Sequence, residues 1–202
     1  MLNNFLNILS EIIPISKELR EHLQKKISVQ RLPKLAVLLA EGQVCDKLFF
    51  ICEGLLRVYY FEKEEEITSR IVIENSFVYS PSSFIQNKPS IETIQLLEDS
   101  TFICMNKNDL EEMFIMFPET TYMALKITER YLLINDSRAR ALRLPANDRY
   151  LLFQKQYPGV VSRIKVQYLA SYLGLSRSCL NLFRSKIITN RMSKIGQENV
   201  QN

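Results

Sequence analysis

The chain has 202 residues, nearly half of them apolar and about a quarter charged. These are the proportions of a globular protein with one large domain or two small ones. No apolar run approaches the roughly 18 residues of a membrane span, and MLNNFLNILSEI has no basic n-region and soon reaches Glu11, so neither a membrane helix nor a signal peptide is expected and the chain is assigned to the cytoplasm. The formal net charge of +4 conceals a split: residues 1–136 carry 14 Lys and Arg against 20 Asp and Glu, and residues 137–202 carry 12 against 2. An acidic front and a strongly basic back form the electrostatic footprint of a protein that meets a polyanion.

Residues 2–27 show helical spacing at Leu2, Phe5, Leu6, Leu9, Leu19, Leu23 and Ile27. Pro14 separates two short helices, and Ser16 is placed to cap the second. The texture then changes to branched and aromatic residues in LAVLLAEGQVCDKLFFICEGLLRVYYF, with turns at Glu41-Gly42 and Glu53-Gly54. This predicts several short strands. A charged hairpin tip at Lys63–Glu66 leads to a strand over about residues 67–73. SPSSFIQNKPS is a turn-rich segment, and IETIQLLEDSTFICMNK supplies two more strands around Glu98-Asp99-Ser100. Many short strands at this spacing suggest a sandwich or a rolled-up barrel.

After Asn108 the helical period returns. NDLEEMFIMF predicts a short capped helix, and residues 118–144 a long one without internal Gly or Pro. Met123, Ile127, Tyr131, Ile134, Arg138 and Ala141 form a row along it like a coiled-coil seam, interrupted by Arg138. At 1.5 Å per residue the helix would span about 40 Å, a length that favours pairing in a homodimer over lying on the β-domain alone. Pro145 ends it. ANDRYLLFQKQY predicts another helix that stops at Pro158-Gly159, and VVSRIKV a short extended piece.

VQYLASYLGLSRSCLNLF, residues 166–183, carries the most chemistry. Val166, Leu169, Ala170 and Leu173 share one helix face. Gly174 supplies the positive φ of a turn, Leu175 anchors that turn, and Ser176 can cap a second helix. In that helix Leu180, Phe183 and Ile187 face inward, leaving Arg177, Ser178, Asn181, Arg184 and Ser185 on the opposite arc. This is the pattern of a DNA-reading helix-turn-helix: a small residue at the crossing, a glycine in the turn, and a second helix with donor-rich residues near its N-terminus. Arg177 suits a bidentate contact to guanine and Asn181 an adenine edge. Ser178, Arg184 and Lys186 suit phosphates.

Enzyme chemistry finds little support. Cys45, Cys52, Cys104 and Cys179 are scattered rather than paired as C-x-x-C, so no metal or iron–sulfur site is expected. His22, the only histidine, stands in a polar helical stretch and is expected at the surface. No GxSxG or Gly-rich phosphate loop occurs, and no catalytic residue or cofactor is assigned.

Taken in order, these segments resemble the CRP/FNR family of bacterial transcription regulators over nearly the full length. The resemblance rests on Gly42, Glu53-Gly54 and LLRVYYF, on LEDSTFICMNKNDLEEMF, and on YLASYLGLSRSCL. The segment NDRYLLFQKQYPGVVSRIKVQYLASYLGLSRSCL looks most like members from the Bacteroidetes. The resemblance implies an α+β chain. It would comprise an N-terminal double-stranded β-helix (jelly roll) of the cyclic-nucleotide-binding kind over residues 1–116, a dimerisation helix over 117–144, and a C-terminal (winged) helix-turn-helix domain over 145–202. It implies double-stranded DNA, a second copy of the chain and RNA polymerase as partners, with a small-molecule effector of unknown identity and no membrane.

Ser176 and Arg177 match the start of the family's S-R-E-x-x-x-R recognition pattern. Ser178 replaces its glutamate and Leu182 its second arginine, which implies an operator other than the family's usual one, with Leu182 set against a thymine methyl or packed on a neighbouring element. Relatives that bind cyclic AMP carry a G-E-L cassette with a later R-S or R-T. The matching segment here, FVYSPSSFIQNKPSIETIQ, has no glycine and no arginine, and Lys88 is its only cation. No response to cyclic AMP is therefore expected, and the missing cysteine cluster argues against oxygen sensing. The alternative is a small-molecule-sensing or protein-interaction module with a degenerate DNA-binding segment. The tail IITNRMSKIGQENVQN lacks the alternation of a clear wing hairpin and is expected to fray.

Overall fold

Strand β3 (Lys47–Glu53) is apolar on both faces, and the computed structural model, which describes residues 1–185, shows why. Phe49 and Ile51 point into one cluster with Leu56, Val58, Ile94, Leu96 and Phe102. Phe50, one residue out of phase, points into another with Phe5, Leu6, Leu9, Leu19 and Leu23. Side chains alternate across a strand, so a strand covered on both faces reads as an unbroken apolar run. β8 (Ser100–Asn106) does the same: Phe102 and Cys104 face inward, Ile103 and Met105 outward. Phe50 is 2% exposed, and burying such a ring contributes roughly 1.5–3 kcal/mol.

The remaining strands are β1 (Ile27–Leu32), β2 (Val37–Leu39), β4 (Leu56–Glu62), β5 (Glu65–Val72), β6 (Ser76–Val78) and β7 (Thr93–Leu96). They form two four-stranded sheets, ordered β1-β8-β3-β6 and β2-β7-β4-β5, and every strand pairing is antiparallel. The first cluster fills the roll between them. Gly54 turns the chain between β3 and β4 at φ +122, where a Cβ would lie 2.1 Å from Ser100 Oγ; glycine is required there for space as well as angle. On the outer face of the second sheet, Arg57 is only 2% exposed. It donates to Gln95 Oε1 at 2.9 and 3.1 Å, pairs with Glu66 at 2.6 Å and lies over the Tyr59 ring.

Helices cover the first sheet. α1 (Leu2–Ile12) and α2 (Lys17–Lys26) lie where the sequence places them, and Ser16 Oγ accepts from Leu19 N at 3.1 Å as the cap of α2. α4 (Lys107–Met116) and α5 (Glu119–Ala141) follow β8. Lys26 bridges α2 to α4 through Asp109 at 2.9 Å and Glu112 at 2.7 Å. His22 is not a free surface residue: it is half-buried, with its ring 5.3 Å from that of Phe117.

Two further expectations are corrected. The turn-rich SPSSFIQNKPS contains a helix, α3 (Pro81–Gln86), started by Pro81 and ended by Asn87 in the left-handed region. VVSRIKV is not extended: Val160–Arg163 forms a short helix, α7, that starts after Gly159 at φ +84.

The long helix also differs from its reading as a seam. Met123 is buried and Ile127 half-buried in the cluster that holds α1, α2 and β8. Tyr131, two turns on from Ala124, sits beside Arg70 and Tyr79. Met123, Ile127 and Tyr131 of the expected seam are therefore used within the chain, whereas Ile134 is 48% exposed. On the opposite arc Tyr122, Leu125, Leu132 and Leu133 are 50–67% exposed.

The chain divides into two compact units inside α5, at Asn135/Asp136. The second unit contains the end of α5, α6 (Ala146–Gln156), α7, α8 (Val166–Leu173) and a helix over residues 177–185, here α9. Among the described residues no helix is long and apolar enough to cross a membrane. Lys186, Ile187 and the expected frayed tail lie outside the described residues.

Candidate nucleic-acid interface

In the second unit, α8 buries Tyr168, Leu169, Ala170, Tyr172 and Leu173. Phe153 of α6 packs edge-on against Tyr172 at 5.6 Å, and Tyr150 of α6 stacks on Phe183 of α9 at 6.2 Å. Leu180 is fully buried. These apolar residues hold α8 and α9 on either side of a three-residue connection, 174–176.

The connection has the hydrogen bonds that its sequence predicts. Gly174 takes φ +61 and ψ +43. Its N–H donates to Ser171 O at 3.1 Å, and Leu175 N–H donates to Ala170 O at 2.9 Å, the pair of bonds that closes a helix with a left-handed residue. Ser176 Oγ then accepts from Cys179 N at 3.2 Å and caps α9. Arg177 is the first residue inside α9, at the positive end of its dipole.

Ser176, Arg177, Ser178, Asn181, Leu182 and Ser185 are all exposed, and the five of them inside α9, Arg177, Ser178, Asn181, Leu182 and Ser185, fall on one arc at 3.6 residues per turn. Leu182 is 61% exposed, so it does not pack on a neighbouring element among the described residues. Ser185 Oγ donates back to Leu182 O at 3.0 Å. Arg184, expected on that arc, is half-buried and donates to Val161 O.

Arg184 belongs to a group that charge counting misses. Arg149 Nη1 donates to Leu173 O at 2.7 Å and Gly174 O at 3.2 Å. Arg138 Nη2 donates to Tyr172 O at 3.2 Å and its guanidinium lies 4.7 Å over the Tyr172 ring. Both cations sit at the carbonyl end of α8, where the helix dipole favours them. Burial, with Tyr157 alongside, pushes the Tyr172 hydroxyl far above its ordinary value. Part of the basic excess thus closes helices, while Arg143, Lys155, Lys165 and Arg177 remain outward.

The cassette-like segment has a different character. Ser80, Ser83 and Ser90 are buried. Ser83 Oγ accepts from Cys45 N at 2.8 Å and donates to Lys88 O at 2.5 Å; Ser80 and Ser90 hydroxyls lie 3.0 Å apart. Lys88 is exposed. The cation that the fold brings to this region is one the segment itself does not contain: Arg70 of β5, which donates to Tyr79 O at 2.9 Å and to Glu92 at 3.0 Å. Sequence order separates Arg70 from Glu92 by 22 positions, and only the β-roll joins them. The four cysteines are free, and among the described residues no group of side chains is arranged to hold a metal.

Residues 29–116 match the family model of the cyclic nucleotide-binding domain. An anaerobic regulatory protein of Bacillus subtilis (strain 168) is 27% identical over 143 residues, 70% of this chain; the match spans 60% of that relative's length. Among solved structures, FixK2 from Bradyrhizobium japonicum shares 13% identity with a TM-score of 0.70, covering 81% of this chain and 85% of that one. A variant of CooA from Carboxydothermus hydrogenoformans shares 18% identity with a TM-score of 0.64, covering 83% and 78%. The chain therefore has the α+β fold of a cyclic-nucleotide-binding-type roll followed by a long helix, and its structural neighbours are of the CRP/FNR kind.

Proposed function

We propose that the chain is a cytoplasmic, homodimeric transcription regulator of the CRP/FNR type, with a C-terminal segment of the Bacteroidetes kind. It binds double-stranded DNA sequence-specifically and does not respond to cyclic AMP. The observation that carries this reading is the capped start of α9, where Arg177 and Asn181 stand exposed on one arc beyond the Gly174 turn. In this reading α8 and α9 are a helix-turn-helix. Arg177 reads a guanine and Asn181 an adenine, while Ser176, Ser178, Ser185 and Lys186 serve the phosphates. Leu182 offers an apolar contact to a thymine methyl. Arg184 acts through its hold on Val161 O rather than as a phosphate ligand.

Dimerisation uses the exposed face of α5 formed by Tyr122, Leu125, Leu132 and Leu133, an apolar row that water would otherwise cover. As a dimer the regulator would present two recognition helices to successive major grooves, about 34 Å apart. Insensitivity to cyclic AMP is supported by the commitment of Ser83 to Cys45 N and Lys88 O, by the bond between the Ser80 and Ser90 hydroxyls, and by the neutralisation of Arg70 by Glu92. A phosphate needs an available cation and free donors.

Binding-site selection with the wild type and Arg177→Ala tests the reading. The substitution should relax one base position and cost about 1–3 kcal/mol of specific binding. An unchanged motif at unchanged affinity would remove Arg177, and with it α9, from the interface. Affinity should also fall steeply with salt.

A further inference from the structure

Between the outer face of the first sheet, α1, α3, α4 and α5 lies a chamber of about 280 Å³. It is outside the roll, on the opposite side of β3 and β8 from the cluster in which a cyclic nucleotide-binding-type domain encloses its interior. Its walls include Phe50, Phe77, Phe84, Met105, Met113 and Met123, and none of its lining residues is charged.

Both of its threonine hydroxyls are already committed. Thr120 Oγ1 lies 3.1 Å from Met113 O and 2.7 Å from Phe117 O, within the reach of its one proton. Thr128 Oγ1 donates to Ala124 O at 2.8 Å, and burial pushes the Tyr79 hydroxyl above its ordinary value, keeping it neutral. Nothing in the chamber therefore asks for a polar or charged group on its occupant, and burying one there would be costly. Water in it would find few polar partners, so an apolar ligand displaces it readily.

Size narrows the occupant further. Native cores keep few voids larger than a water molecule, and an apolar cavity of about 150 Å³ takes up benzene. This chamber is nearly twice that. Methionine and phenylalanine side chains adapt to irregular apolar shapes. At the mouth Ile85 of α3 stands 71% exposed beside the half-buried Phe84 and Phe114, leaving apolar surface where a ligand would enter.

We propose that this chamber is a binding site for one uncharged apolar small molecule of about the size of a two-ring aromatic. Such a ligand would touch Met123, Ala124 and Ile127 of α5 and Phe84 and Ile85 of α3 together, joining the long helix to the cassette-like segment. Binding itself is independent of the DNA reading; only an effect of the ligand on transcription rests on it.

The test uses the full chain without DNA, titrated calorimetrically with naphthol and with naphthalenesulfonate, its anionic counterpart. Naphthol should bind saturably at one molecule per chain, and naphthalenesulfonate at least about tenfold more weakly. Ala124→Phe, which fills the chamber from α5, should weaken naphthol binding by about tenfold or more. Ile85→Glu, an exposed position whose change leaves folding intact, should weaken it by placing a charge at the mouth. No saturable naphthol binding by the wild type would overturn the proposal, as would undiminished binding in both variants. Equal binding of the sulfonate would also overturn it, by moving the site to the neighbouring cleft that holds Lys126 and Arg130.

Discussion

Gly174→Ala offers the most direct test of the turn on which the DNA-binding reading depends. At φ +61 a residue with a Cβ costs about 1–2 kcal/mol relative to the right-handed region. The new methyl would also stand 3.1 Å from Arg149 Nη1, the nitrogen that donates to Leu173 O and Gly174 O. Moving the guanidinium weakens a charged hydrogen bond of about 1.5–3 kcal/mol. Arg149 is only half-buried, so the lower end applies and the loss is partial. The expected total is about 1.5–3 kcal/mol. Urea unfolding followed by far-ultraviolet circular dichroism measures it, and amide exchange localises it to residues 146–185. In an Arg149→Ala background the steric part vanishes, and the cost of Gly174→Ala should fall to about 1–2 kcal/mol. A cost below about 0.5 kcal/mol in the wild type would mean that the left-handed turn is not formed. Equal costs in both backgrounds would refute the role given to Arg149.

The two faces of α5 should separate under mutation. Leu132→Glu should shift the chain from dimer to monomer in sedimentation equilibrium with little change in thermal stability, whereas Met123→Ala should cost about 2–5 kcal/mol of stability and leave association intact. A monomeric Met123→Ala and a dimeric Leu132→Glu would reverse the assignment. The α2–α4 bridge predicts an acid dependence. Its hydrogen bond to Lys26 holds the Asp109 carboxyl below its ordinary value, and Glu112 together with Asp109 pushes Lys26 up to about 12. A carboxyl depressed in the fold stabilises fully above its unfolded pKa of about 3.9, and that contribution is lost as the pH falls through the lower folded value. The melting temperature of the wild type should therefore exceed that of Asp109→Asn by a constant amount from about pH 5 to 8, and the two should converge in acid. A gap unchanged at low pH would refute the link.

Much of the fold is legible because local signals agree with tertiary ones. The two-sided apolar run of β3 and β8, the Ser16 cap and the Gly174 turn all follow from chemistry within a few residues. The elements that escape are those too short to show a period. α3 has six residues and α7 four, and each is set by one residue, Pro81 or Gly159, that also suits an ordinary turn. The difference on α5 has another origin. The helix carries two apolar rows on opposite arcs, and each satisfies the spacing of a packed seam. Only the positions of Phe5, Leu23 and Met105 on neighbouring elements settle which row the chain covers itself.

The same distinction governs the candidate site. A count of basic residues in the C-terminal region treats every arginine as available to a polyanion. In the structure Arg138, Arg149 and Arg184 donate to the carbonyls of Tyr172, Leu173 and Val161, so these charges hold the shape of the unit. Arg177 is exposed at the start of α9, its position set by the Ser176 cap and the Gly174 turn that precede it. On the proposed DNA-binding role, specificity would rest on a small set of groups, Arg177 and Asn181 with Leu182 beside them, while the remaining outward cations would supply attraction that any DNA sequence shares. Exchanging Lys155 or Lys165 would accordingly change affinity for all sequences alike, and exchanging Arg177 would change which sequence is preferred.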